Sequence, residues 1–209
     1  MHRSQRPAIS KNKLYLILDM NVNWKNVLSQ IPLEICGYIQ LRDKEASDQQ
    51  MLAWGREIQT IIAEKTQLIM NDRVLVAREL GVGVHLGMED MSPMEARALV
   101  GMEVPIGLTI HNRVELAQQY LDSIDYVGVG PVFPTLTKAD AKAVLGIEQL
   151  RIIQRASPVP VVAIGGISQE NCAEVWKTGV DQIAICSAIM KANNPKQAAL
   201  GLQNSGDKN

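Results

Sequence analysis

Cysteine is scarce, neither sign of charge is in excess, and no hydrophobic run is long; each shortage removes a class of answer. The 209 residues include three cysteines, Cys36, Cys172 and Cys186, an odd number with no Cys-x-x-Cys pair. That usage does not fit a disulfide framework, so the thiols read as reduced, small apolar filler in a cytoplasmic protein. Lys and Arg total 21 against 22 Asp and Glu, a net charge of −1. No bulk field draws the chain to nucleic acid or to an anionic membrane, and any affinity for phosphate has to be local. The apolar run LYLILD at Leu14–Asp19 is too short for a signal-peptide core or a membrane span. The basic stretch 1–13 and the polar stretch 203–209 read as flexible tails, and residues 14–202 as one domain.

What the chain does have is a rhythm. Short apolar runs fall at Leu14–Asp19, Gly37–Arg42, Gln67–Met70, Val84–Leu86, Pro105–Thr109, Tyr126–Val129, Pro160–Ile164 and Gln182–Cys186. Runs without interior polar residues suit parallel strands buried on both faces. Between them, helical spacing or helix signals cover Asn23–Gln30, Asp48–Glu64, Arg73–Leu80 before Gly81, Pro93–Val100 before Gly101, Asn112–Leu121, Ile147–Arg155 and Ser168–Thr178. Ser92, Pro93 and Glu95 form a capping-box start for the fourth of these. Eight apolar runs alternating with helical segments predict an α/β fold, a single (β/α)8 TIM barrel, over an open doubly wound sheet.

In such a barrel the chemistry lies beyond the carboxyl ends of the strands. Those places hold Arg42 and Lys44 at the end of the second run, with Gln40 on the same face as Arg42 within it, Asn71 and Asp72 after the third, and His85 and Asp90 at the fourth. Thr109 and His111 follow the fifth, Thr135, Thr137 and Lys138 the sixth, Gly165 and Gly166 the seventh, and Ser187 the eighth. The stretch YVGVGPVFPTLTK carries the pattern most clearly: glycine admits close approach to a ligand, hydroxyls bond phosphate oxygens, and lysine adds a point charge. Asp72 and Asp90, with no zinc-type Cys or His spacing, suit Mg²⁺. Plainer readings stand beside these: Arg42 or Lys44 paired with Asp43 or Glu45, Asn71 and Asp72 capping a helix, Asp90 capping its loop, and His85 as a hydrogen-bonded core histidine.

The motifs LYLILD, YIQLRDK, IMNDR, GVHLGMED, IGLTIH, DYVGVGPVFPTLTKADA, PVVAIGGI and ICSAI resemble the thiamine phosphate synthase family over most of residues 14–190. The resemblance implies a Mg²⁺-dependent transferase that joins a hydroxymethylpyrimidine diphosphate to a hydroxyethylthiazole phosphate. It implies Gln40 on the pyrimidine, Arg42, Lys44, Asn71, Thr109 and Lys138 on the diphosphate, and Asp72 and Asp90 on Mg²⁺. Thr135, Thr137, Gly166, the Cys186 backbone and Ser187 would surround the thiazole phosphate. Met88 and Thr109 stand where the family usually has Gln and Ser; the threonine keeps a hydroxyl, whereas Met88 loses an amide's hydrogen bonds. Its partners would be these small molecules, with a homo-oligomer left open. Two rivals remain at this level: a tautomerase of the same fold using His111, and a non-catalytic barrel that binds thiazole or thiamine phosphate.

Overall fold

Eight parallel strands close on themselves in sequence order, β1 (Leu14–Asp19), β2 (Cys36–Arg42), β3 (Gln67–Asn71), β4 (Gly83–Leu86), β5 (Ile106–Thr109), β6 (Tyr126–Val129), β7 (Val161–Ile164) and β8 (Gln182–Ile185), with β8 pairing back to β1. This computed structural model describes residues 12–62, 64, 66–135 and 143–206. The helices are α1 (Trp24–Gln30), α2 (Asp48–Ile61), α3 (Val74–Leu80), α4 (Pro93–Val100), α5 (Glu115–Gln119), α6 (Gly146–Ala156), α7 (Cys172–Trp176), α8 (Ser187–Met190) and α9 (Pro195–Asn204). The barrel is the expected one, and its strand bounds match the apolar runs to within one residue. None of the described helices is long and apolar enough to cross a membrane.

Burial on both faces explains the uninterrupted apolar runs. Outward-facing residues such as Leu16, Ile39 and Met70 join the helices in one large core. The inward face forms a second cluster of Tyr15, Ile17, Tyr38, Ile69, Tyr126, Val162 and Ala184 that plugs the barrel interior. Local signals hold where they were strongest. Ser92 and Glu95 form the capping box of α4, and Gly81 ends α3 in the left-handed conformation at φ 66°.

Three helices are shorter than the sequence spacing predicts. α2 ends at Ile61 instead of Glu64, α5 spans 115–119 within the expected 112–121, and α7 spans 172–176 within 168–178. Side chains and turns claim the missing ends: Asn171 Oδ1 accepts from Ser168 N–H, and turn-type bonds such as Arg113 N–H to the Ile110 carbonyl precede α5. Neither α8 nor α9 was among the predicted elements; of the two, α9 is the longer. Asn194 caps it by accepting from Gln197 N–H, and Trp176 Nε1 donates to the Leu202 carbonyl at its far end. Lys13 and Gly206, each assigned to a tail by sequence, meet where Lys13 Nζ donates to the Gly206 carbonyl at 2.8 Å.

The amino end of the barrel is fixed by a buried ion pair. Arg97 of α4 reaches Asp125 just before β6 at 2.5 Å, and its other N–H groups donate to the carbonyls of Gly101, Val104 and Ser123. Asp125 also accepts from the Ile106 amide. With so many hydrogen bonds made, the burial of both charges is compensated.

Candidate active site

At the opposite, carboxyl end, β3 runs into Asn71 and Asp72. Asp72 adopts φ 61°, a left-handed conformation that few residues other than glycine accept, while its amide bonds the His85 carbonyl. Neither Asn71 nor Asp72 caps α3: the cap position is Arg73, with no side-chain hydrogen bond. The Asp72 carboxyl instead meets that of Asp90, from the loop after β4. Burial, then the hydrogen bond to Asp90 and its negative charge, push Asp72 up to about 6, with Asn71 and Arg42 pulling the other way. Asp90 is oriented by the Gly87 amide, which donates to Oδ2 at 2.6 Å. A Cβ on residue 87 would lie 3.0 Å from that oxygen, so glycine permits the approach.

Arg42 closes β2 and is half-buried, close enough to Asp72 to lower its proton affinity. Lys44 follows on the exposed β2–α2 loop. Asp43 is not their counter-ion, because its Oδ1 accepts from the Glu45 and Ala46 amides at 2.8 Å. The loop is clamped by Arg73, which binds Asp48 and the Ala46 carbonyl, each at 2.5 Å. Among the described residues neither Arg42 nor Lys44 forms a salt bridge. Thr135 lies in the loop beyond β6, whereas Thr137 and Lys138 lie outside the described residues.

Below this charged rim a small cavity opens into the barrel, lined by Arg42 and Asn71 above and by Tyr15, Gln40, His85 and Gly128 below. Gln40 is 3% exposed and donates through Nε2 to the Tyr15 hydroxyl at 3.0 Å. His85 is hydrogen-bonded, as the plainer reading expected, yet it also lines the cavity; its nitrogens meet the Tyr126 and Thr109 hydroxyls. Tyr15 and Tyr126 were not singled out by sequence, since each reads as ordinary core. Asp19 was also missed: it ends β1 in register with Arg42, and its charge helps raise Cys186. Met88, 36% exposed, does not line this cavity; with Gly87, Asp90 and Arg113 it lines a second, more open one beside the loop after β4.

The remaining candidates come from β5 to β8. His111 adopts φ 52° and bonds the Gly130 carbonyl through Nδ1 at 2.8 Å. A carbonyl only accepts, so Nδ1 carries the proton of the neutral ring and Nε2 is its basic nitrogen. Gly166, at φ 65°, lies so close to the β6 loop that a Cβ would fall 2.5 Å from the Pro134 carbonyl oxygen. Asn171 Nδ2 donates to the Gly166 carbonyl and steadies the turn. Cys186 directly precedes α8, whose first residue, Ser187, is exposed; burial raises the Cys186 thiol to about 11, which keeps it protonated. The structure therefore brings Gln40, Arg42, Asn71, Asp72 and Asp90 together and sets Gly166 in the turn after β7 and Cys186 and Ser187 at the start of α8.

A sequence profile described as "Thiamine monophosphate synthase" matches residues 14–189. A "Thiamine-phosphate synthase" of Psychrobacter sp. (strain PRwf-1) is 39% identical over 206 residues, covering 95% of each chain. One of Chloroflexus aurantiacus is 39% identical over 197 residues, covering 91% of each. Among solved structures, the thiamine phosphate pyrophosphorylase from Pyrococcus furiosus superposes with a TM-score of 0.83 at 36% identity, covering 95% of this chain and 97% of that one.

Proposed function

From the premise that the chain belongs to the thiamine monophosphate synthase family, we propose how its own residues divide the work. The reaction is the condensation of 4-amino-2-methyl-5-hydroxymethylpyrimidine diphosphate with 4-methyl-5-(2-hydroxyethyl)thiazole phosphate, giving thiamine phosphate and pyrophosphate. The observation that carries the assignment is the meeting of Asp72 and Asp90 beside Arg42 and Asn71, directly above a narrow cavity edged by Gln40.

Two carboxylates held together form a donor set that suits a hard divalent cation; burial first, then the hydrogen bond to Asp90 and its negative charge, raise Asp72 to about 6. Among the described residues no cluster of three His, Cys, Asp or Glu is present, so the substrate's own oxygens and water would complete the shell, as Mg²⁺ tolerates and Zn²⁺ does not. Bound there, Mg²⁺ would supply positive charge for the departing diphosphate.

Gln40 reads the edge of the pyrimidine ring, which the apolar cavity walls sandwich. Arg42, Lys44, Asn71, Thr109 and Lys138 hold the diphosphate. The methylene C–O bond breaks with its electron pair going to the diphosphate, and Arg42, Lys44 and Lys138 stabilise the charge that develops. The amino group of the ring shares the positive charge left on carbon. The thiazole nitrogen, its phosphate held by Thr135, Thr137, Gly166, the Cys186 backbone and Ser187, then donates its lone pair to that carbon. No protein nucleophile takes part, consistent with Cys186 staying a thiol. The unbridged cysteines suit a reducing compartment, so the cytoplasm is the location we favour.

Incubating the purified protein with both substrates and Mg²⁺ should yield thiamine phosphate and pyrophosphate in equal amounts. A tautomerase working through His111 would isomerise a thiazole carboxylate phosphate and release no pyrophosphate, and a binding barrel would do neither.

A further inference from the structure

Asp19 ends β1 at the mouth of the barrel and has no part in the assignments above. Alternation along β1 puts it on the inward face with Tyr15 and Ile17, both members of the interior cluster. On one side it stands in register with Arg42 of β2. On the other, β1 pairs with β8 with Leu16 opposite Ile185, so the inward residues that follow, Ile17 and Asp19, rise beside Cys186 and Ser187. Cys186 packs against the same interior cluster and senses this neighbour: after burial, the charge of Asp19 acts most strongly on its thiol, ahead of Arg42 and Lys191.

The carboxylate is held in place without being used up. Its Oδ1 accepts from the Asn21 amide at 3.0 Å and from Asn21 Nδ2 at 3.2 Å, and among the described residues no bond reaches Oδ2. Nor does Arg42 close a salt bridge onto it. Asp72 and Asp90 lie on the β3 and β4 side of the mouth. Of β7, β8 and β1, only β1 ends in an acidic residue.

The condensation separates charge. The diphosphate leaves with the electron pair of the C–O bond, and the thiazole nitrogen gives its lone pair to the methylene carbon. A ring that arrives neutral therefore finishes as a thiazolium with a positive charge, on the side of the mouth where Gly166, Cys186 and Ser187 hold its phosphate. We propose that Asp19 is the counter-charge for that ring, so that the site binds the thiazolium more tightly than the neutral thiazole and stabilises the C–N bond as it forms. Arg42 serves the departing diphosphate from the neighbouring strand. The two opposite charges of one register pair thus face the two ions that the reaction creates. This inference rests on the family reaction and assigns a residue to its second half.

The test is calorimetric and compares thiamine phosphate, whose thiazole ring is charged, with the neutral hydroxyethylthiazole phosphate on wild type, Asp19→Asn and Asp19→Glu. Asparagine keeps an oxygen for the Asn21 amide, so the turn is retained and only the charge is removed. Expected is about a tenfold loss of thiamine phosphate affinity in Asp19→Asn, with thiazole phosphate affinity within about twofold of wild type, and recovery of most of the loss in Asp19→Glu. Single-turnover formation of thiamine phosphate should slow about tenfold or more in Asp19→Asn, while KM for the pyrimidine diphosphate stays within about twofold. A ratio of the two affinities that matches wild type, whether neither ligand or both have weakened, would overturn the proposal. So would a loss confined to pyrophosphate, which would make Asp19 a support for Arg42. If the wild type releases no pyrophosphate, the family reaction fails on its own; the affinity ratio still decides the role of Asp19 with the same opposed outcomes.

Discussion

Asp72 carries two demands that conflict in the metal-free protein: a left-handed backbone and a carboxylate pressed against Asp90. Its pKa in the fold, about 6, exceeds the ordinary 3.8, so between those values the folded state holds a proton that the unfolded chain has released. Stability from this group is therefore full below the ordinary value and is lost as pH rises through about 6. Asp72→Asn should raise the metal-free melting temperature relative to wild type at pH 8 and give no gain at pH 3.5, while Mg²⁺ with pyrophosphate should stabilise only the wild type. An equal Mg²⁺-induced shift in both proteins would remove Asp72 from the metal site. The role proposed for Lys138 is simpler, a point charge on the leaving group. Lys138→Ala should lower kcat by about a hundredfold to a thousandfold, read from single-turnover pyrophosphate release; turnover at the wild-type rate would contradict it.

Elements explain what residues cannot. The loop after β2 is held by Arg73 from the start of α3, so Lys44 is delivered by a clamp two elements away. At the barrel's other end Arg97 of α4 and Asp125 before β6 are both nearly inaccessible and mutually satisfied. Replacing Asp125 by Ala strands a buried guanidinium and should cost about 3–5 kcal/mol in urea unfolding. Because the pair lies away from the mouth, KM for both substrates should stay near wild type at a temperature where the variant is folded; a loss below about 1 kcal/mol would show that water reaches the pair. Helix lengths were the least legible part of the sequence, since spacing alone does not reveal where a side chain such as Asn171 takes over a backbone amide. The start of α9 was legible in Asn194–Pro195, a cap followed by a proline at the first helical position.

At the scale of the whole molecule, the barrel was readable because eight doubly buried strands leave uninterrupted apolar runs, and the rim was readable because polar residues follow each run. What the sequence concealed was the interior. Tyr15 and Tyr126 stand 111 residues apart and touch only because closure folds β1 toward β6, so each looks like ordinary core until the barrel exists. Gln40 and Thr109 were found as separate candidates, yet their linkage through His85 belongs to the closed sheet. The same closure places the acidic pair and Arg42 over one cavity, the arrangement on which the proposed replacement of a protein nucleophile by charge stabilisation rests.

Pyrophosphate release by the wild-type protein, followed while each substrate and free Mg²⁺ are varied in turn, bears on that replacement most directly. Release should require both substrates and the divalent ion, stop on chelation, and resume when Mg²⁺ is restored. Undiminished release in the presence of chelator would contradict a reaction driven by a cation held between Asp72 and Asp90.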